Sequence, residues 1–237
     1  MVKRLRILLV GLTVVALLSV GCSDEYKDMT TSFQTDLCVI AQSHTNQSLS
    51  LITDLGALLF PAAELDSQYY KVGDRYLVTY IPMDSTGTTP GKLLAVSGRP
   101  VRVLEMQPVL VKPILDPSDS TGALGDDPVK LITFPWLGGG FLNMEFKLRY
   151  HNETIKHGVF LMADSTVARQ DGTTIYLTFK HNANGDGANL QATSLVSFSL
   201  SSLPDVALAD SLVVSLLEWT DNGNIINSYR LPNRVNK

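Results

Sequence analysis

The sequence predicts an all-β protein in two parts, a small barrel followed by an antiparallel sandwich. Apolar and polar side chains alternate with a period of two through most of the chain, and no long helical period appears. Glycine and proline cut that pattern into short runs. With 237 residues, 45% hydrophobic and 18% charged, the chain suits one large β domain or two ordinary ones and lacks the bias of disordered chains.

The first element stands apart from that pattern. Lys3, Arg4 and Arg6 precede fourteen uncharged residues, Ile7 to Val20, too short a run to span a bilayer comfortably and of the length of a secretory signal core. The run stops at Gly21 and Cys22. Leu18-Ser19-Val20-Gly21-Cys22 resembles the bacterial lipobox, in which the thiol takes a diacylglycerol, although leucine here stands four positions before the cysteine instead of three. Residues 1–21 are therefore expected to be a signal peptide, Cys22 the lipid attachment site and 22–31 a flexible tether. Ser23 follows the cysteine where an inner-membrane retention signal would have aspartate. The acidic "SDEYKD" resembles the flank that sends lipoproteins to the exterior face of the outer membrane.

Removing the signal leaves 16 basic residues against 23 acidic ones, a net charge of −7. An acidic chain with no basic run is a poor partner for nucleic acid, whose affinity for proteins comes largely from phosphate neutralisation. Once Cys22 is lipidated, Cys38 has no partner for a disulfide; flanked by Leu37, Val39 and Ile40, it reads as a buried apolar filler.

In the first half, residues 32–115, "RYLVTYI" is a strand with apolar residues on both faces. "VRVLEM" and "PVLVKPI" extend the pattern, with Pro108 and Pro113 as breaks. About five strands curl into a barrel. "DPSDSTGALGDDP", Asp116 to Pro128, has two Pro, two Gly and four Asp, and reads as a linker or long loop. In the second half, residues 129–237, "FLNMEFKLRY" places Leu142, Met144, Phe146, Leu148 and Tyr150 inward and Asn143, Glu145, Lys147 and Arg149 outward. "TIYLTFKH", "LVSFSL", "LVVSLLEW" and "IINSYRL" add strands, and "DNGN" at 221–224 predicts a tight hairpin with Asn-Gly at positive φ. "SSLPDVALAD" is expected to hold the one short helix. Seven or so strands with one wet and one dry face make an antiparallel sandwich.

Candidate chemistry is sparse. His44, His151, His157 and His181 show no metal-ligand spacing, and each reads as a structural histidine. A hydrolase would require the fold to gather a His or carboxylate pair that sequence spacing does not reveal. Gly138 to Gly140 could offer amides to an oxyanion but lacks a nearby nucleophile and base, and reads as a turn. In "NANGDG", Asn182, Asn184, Asp186 and Gly187 match the start of a calcium loop, but Thr193 falls where a bidentate Glu is required, so a hairpin loop is expected. No catalytic, cofactor-binding or metal residue is assigned. Asp-Ser-Thr recurs at Asp84, Asp119 and Asp164, with a related pair at Asp210. Such pairs favour turns; they also resemble a bacterial O-glycosylation acceptor, with Ser85, Ser120 and Ser165 as candidates and Ser211 as the least accessible. Tyr69 and Tyr70 are expected to pack between sheet and loop. Trp136 and Trp219, the only tryptophans, lie in apolar strand contexts.

The whole mature chain resembles the NigD-like lipoproteins, through "YYKVGDRYLVTYIPMD" in the first half and "PWLGGGFLNMEF", "IYLTFKHNANGD" and "VSFSL" in the second. The resemblance implies an OB-like β-barrel followed by a β-sandwich, here expected to be immunoglobulin-like and antiparallel. It implies no catalytic residues and no cofactor. It points to a surface-anchored, non-enzymatic binding or accessory role, with bacteriocin immunity suspected for the family. The alternative is capture of a glycan or nutrient beside an outer-membrane transporter. The expected partners are the membrane, through the lipid anchor, and a protein or glycan yet to be identified.

Overall fold

A computed structural model describes residues 33–42, 48–83, 98–119, 124–169, 172–203 and 206–233, with backbone only for 119 and 165–169. Cys22, the signal, the tether, His44, Ser85 and Ser120 lie outside the described residues.

Five strands form a closed barrel: β1 (Gln34–Gln42), β2 (Leu49–Thr53), β3 (Leu58–Pro61), β4 (Arg75–Pro82) and β5 (Arg99–Pro108), in the order β1-β2-β3-β5-β4 with β4 back against β1. That order is the OB-type arrangement. All its pairings are antiparallel except β3 with β5. Alternate residues point inward and fill the interior: Cys38, Ile40, Leu51, Leu59, Val78, Tyr80 and Val101. Between Thr79 and Tyr80 the β4–β5 register slips by one residue, leaving Leu104 unpaired and half exposed. Such a bulge adds the local bend that a five-strand closure needs.

Only Val109 separates β5 from β6 (Leu110–Leu115). Although the sequence suggests a boundary near residue 115, β6 is an interior strand of the second sheet. Leu110–Pro113 runs parallel to β12 (Leu190–Ser199), then Ile114 and Leu115 run parallel to β10 (Gly158–Arg169). Pro113, lacking an N–H, stands where the strand changes partner. The remaining strands are β7 (Lys130–Leu131), β8 (Trp136–Gly138), β9 (Phe141–Tyr150), β11 (Gly172–Asn182), β13 (Ser211–Thr220) and β14 (Gly223–Pro232), in the order β14-β13-β11-β10-β6-β12-β9-β7, with β8 on β9. β6 thus hinges two halves, β14-β13-β11-β10 and β12-β9-β7, which enclose a core in which Phe179 meets Phe146 and Phe198 edge to face, with ring centroids 5.2 and 6.2 Å apart.

Three pairings here are parallel: β6 with β10, β6 with β12, and β11 with β13. The last holds only from Thr174 to Thr178. Beyond it the strands part, and the end of the Asp-rich segment fills the gap. Asp127 N–H donates to the His181 carbonyl (3.0 Å) and Val129 N–H to Leu217 (3.0 Å). The end of that segment, Asp127 onward, is thus tied into the sandwich. The β13–β14 hairpin forms where expected, but its loop is Asp221-Asn222; the positive φ falls on Gly223 alone (116°). In place of one short helix there are two 3-10 turns, Leu200–Ser202 and Val206–Leu208.

Candidate functional site

Sequence spacing gives no reason to join the histidines, but the fold joins two of them. After β11 the chain turns through Asn184 (φ 52°) and Gly185 (φ 76°), and Asp186 folds back against the segment following β9. Its carboxylate, 1% exposed, accepts N–H bonds from His151 (3.0 Å), Asn152 (3.1 Å) and Gly187 (2.7 Å), and lies 3.2 Å from His157 Nε2. His157 Nδ1 in turn lies 2.9 Å from His181 Nε2. With Asp186 as acceptor, neutral His157 carries its proton on Nε2, so its Nδ1 accepts from His181. His181 Nδ1 is then a buried nitrogen without a hydrogen bond of good geometry, although the Asp127 backbone passes close to the ring. Burial foremost, then repulsion from the His157 ring when it carries a second proton, lower the His181 pKa from 6.5. The amides, His151 first, hold Asp186 at about 2 despite its burial.

This chain of carboxylate and two imidazoles has the order of a base with its orienting group. Apart from His181 Nδ1, its polar atoms are spent on each other and on the backbone of the loop, and no hydroxyl or thiol is hydrogen-bonded to either ring among the described residues. Among those residues, no set of three His, Cys, Asp or Glu side chains could hold a metal ion. Asp186, the one charged member of the calcium-like pattern, acts as a backbone cap.

A second polar cluster welds the barrel to the sandwich. Arg75, at the start of β4, is fully buried. Its Nη2 donates to both Asp54 oxygens (2.7 and 2.8 Å) and to Asn143 Oδ1 (2.9 Å), and its Nε donates to Ser197 Oγ (2.8 Å). Its guanidinium lies 4.3 Å over the Phe141 ring. Asn143 Nδ2 and Trp136 Nε1 both donate to Asp54 Oδ2, at 3.1 and 3.3 Å. Asn143 therefore has the outward direction its parity predicts, but the barrel covers that face and leaves it 0% exposed. The one hint in the sequence is that Asn143 is uncharged while Glu145, Lys147 and Arg149 follow on the same face. Gly138 and Gly139 pack on Asp54: a Cβ on either would sit within 2.7 Å of that side chain. The glycine triplet is thus the β8–β9 turn and the lid of this cluster.

Cys38 is 0% exposed, and burial foremost pushes its thiol up to about 12. Tyr70 packs edge to face on Tyr76, but Tyr69 is 75% exposed and does not fill the space between sheet and loop. Ser211 is buried and accepts from Arg230 Nη1 (2.6 Å). Ser165 follows the bulge in β10. Further along the face of β9 that carries Asn143, a groove of about 310 Å³ lies between Lys130 on β7, Lys147 and Arg149 on β9, Gln191 on β12, and Trp219 and Asp221 at the end of β13. Beside it, buried Glu218 accepts from Leu131 N–H, Asn227 and Tyr229; burial opposes its charge, but these donors hold its pKa below the usual value.

The model of the NigD-like C-terminal beta sandwich domain matches residues 111–229, half of the chain. The chain belongs to the NigD-like family. The match begins within β6, where the second sheet begins. Solved structures share the whole architecture at low identity. A protein described as toxin-related from Parabacteroides distasonis is 24% identical, with TM-score 0.61, and the match covers 86% of this chain and 95% of that one. A NigD-like immunity protein from Bacteroides caccae is 20% identical, with TM-score 0.61 and coverage of 83% and 92%. A protein described as a lipoprotein from Bacteroides fragilis is 8% identical, with TM-score 0.62 and coverage of 86% and 99%. A comparison with curated proteins finds no match. Among the described residues, no helix is long and apolar enough to cross a membrane.

Proposed function

We propose that this NigD-like chain is a non-enzymatic binding or accessory lipoprotein, anchored through Cys22 in the outer membrane, facing the exterior and protecting its host against a secreted bacteriocin. The observation that carries the non-enzymatic part is that its polar clusters bond chiefly to one another and to the backbone, with one buried nitrogen left over in each. The strongest candidate for catalysis, Asp186-His157-His181, bonds inward and to backbone amides, and the Arg75 cluster lies sealed between two domains. A nucleophilic site would pair such a base with a hydroxyl or thiol, and neither ring has one as a hydrogen-bond partner among the described residues. The lipobox at Cys22 and its acidic flank support the anchor and its direction. The solved immunity protein of the same architecture supports the protective role, as does a two-module scaffold whose loops are free to recognise a partner.

Deleting the chain should sensitise cells to bacteriocins of neighbouring strains, and unchanged sensitivity would remove the protective role. Cys22→Ala should abolish lipid labelling and release the protein from the membrane. Protease added to intact cells should digest it if it faces outward. Intact mass tests modification at Ser85, Ser120 and Ser165: lipid plus polypeptide alone would refute it.

A second reading, capture of a glycan at the cell surface, is favoured by one observation, the cationic groove beside Trp219.

A further inference from the structure

We propose that the groove between β7, β9 and the end of β13 is a binding site for an acidic saccharide, one whose sulfate, phosphate or uronate group seats between Lys130, Lys147 and Arg149. This rests on the glycan-capturing reading and assigns it a place and a ligand class.

The argument starts from strand register. Lys130 stands directly opposite Lys147, and Arg149 lies two residues further along the same face of β9. Like charges directly opposite on a sheet destabilise it. A chain of formal net charge −4 has carboxylates in excess with which to neutralise them, yet none of the three cations forms an ion pair among the described residues. Glu145, two residues before Lys147, makes no bridge to it, and Glu218 reaches Lys130 only through space. Three cations converge on one concavity and leave their shared field directed at solvent. That arrangement raises the local concentration of an anion and costs stability when the site is empty.

The rest of the groove selects the kind of anion. Arg149 is stacked with its guanidinium carbon 4.5 Å over the Trp219 ring, and Trp219 is itself 6% exposed, so the arginine is held by a rigid indole. A planar guanidinium positioned in this way binds an oxyanion with two parallel N–H donors. Gln191 faces Arg149 across the β9–β12 pair and adds an amide. Asp221 is the discriminating residue. It lines the same groove, and its negative charge repels a ligand that is only anionic. Hydroxyls next to the anion convert Asp221 into a hydrogen-bond acceptor, and a sugar ring carries such hydroxyls where an acidic peptide side chain does not.

Calorimetry on the detergent-solubilised full chain tests this with four probes: a heparin-derived hexasaccharide, a galacturonate oligomer, polyglutamate and sodium sulfate. The expected result is binding of at least one acidic saccharide, weakened by added salt, with polyglutamate and free sulfate much poorer. Lys147→Ala and Lys130→Ala should each weaken saccharide binding by roughly five- to tenfold. Lys147→Ala should also raise the melting temperature, because it removes the opposed charge, a gain that a merely structural lysine would not give; Lys130→Ala also loses the attraction of Lys130 for buried Glu218 and is read for binding alone. Saccharide binding that both variants leave unchanged would overturn the groove while sparing the glycan reading. No saccharide binding at all would overturn both. Equal binding of polyglutamate, or of sulfate alone, would overturn the saccharide assignment.

Discussion

His181 shows how a residue that looks inert in the sequence becomes a titrating element of the fold. It continues the inward parity of Ile175, Leu177 and Phe179, so it is buried with them, and burial together with His157 lowers its pKa below 6.5. Below pH 6.5 the unfolded chain takes up this proton more readily than the folded one, so its contribution to stability is complete above 6.5 and is lost as pH falls through the folded pKa. Asp186 acts in a separate window: held at about 2 against an ordinary 3.8, it keeps its contribution until pH falls below 3.8. His181→Gln should therefore flatten the decline in melting temperature between pH 7 and pH 5, and leave the decline below pH 4 intact. Thermal scans across that range check it; an unchanged slope from 7 to 5 would clear His181 of the effect. Cys38 gives a second prediction at this scale. With its thiol at about 12 and no exposed surface, it should resist iodoacetamide at pH 8 in the native protein and react once denatured, as mass spectrometry would show.

At the scale of elements, strands were legible where burial imposes a period of two, as it does from Ile175 to His181 in β11. Parallel pairings were not, since nothing local in β6 announces that it will sit between β10 and β12. Its alternation is shared by any half-buried strand, and only Pro113 marks the change of partner. Turns fell between the two: "DNGN" marked the hairpin, but which residue takes positive φ depends on a register that local sequence does not contain. The β8–β9 turn makes this measurable. Gly139 and Gly140 both have positive φ, 59° and 84°, so alanine at either strains the backbone by about 1–2 kcal/mol. A Cβ on Gly140 meets nothing within 4 Å, whereas one on Gly139 comes to 2.7 Å from Asp54 Oδ1. Gly139→Ala should thus be the more destabilising of the two in urea titrations, because it also displaces the carboxylate that Arg75 requires. Equal losses would mean that Asp54 yields without cost.

For the molecule as a whole, the decisive feature is that a buried ion pair of the barrel, Arg75–Asp54, is hydrogen-bonded by Asn143, Ser197 and Trp136 of the sandwich. No sequence pattern exposed this, because Asp54, Arg75, Asn143 and Ser197 are scattered over 144 positions and each looks like an ordinary surface residue until the barrel end meets the sandwich face. The same absence of local signal hid His157–His181, and for the same reason: polar side chains carry no periodicity that reports their partners. With only Val109 between β5 and β6, and Arg75 bonded to Asp54 in the barrel and to Asn143 and Ser197 in the sandwich, barrel and sandwich should unfold in one transition. Removing one member of a buried pair leaves an uncompensated charge, which costs about 3–5 kcal/mol. Arg75→Met removes the cation beside Asp54 and deprives Asn143 and Ser197 of their shared donor, so the loss falls on the barrel end and the junction and not on the sandwich core. Calorimetry should then show the single transition of the parent split into two, with the barrel melting first, since its eight buried core residues are fewer than the twenty of the sandwich. Adding Asp54→Asn should restore part of the loss by removing the stranded charge. A single, uniformly shifted transition in Arg75→Met would show that Val109 and the apolar contacts couple the domains without the ion pair.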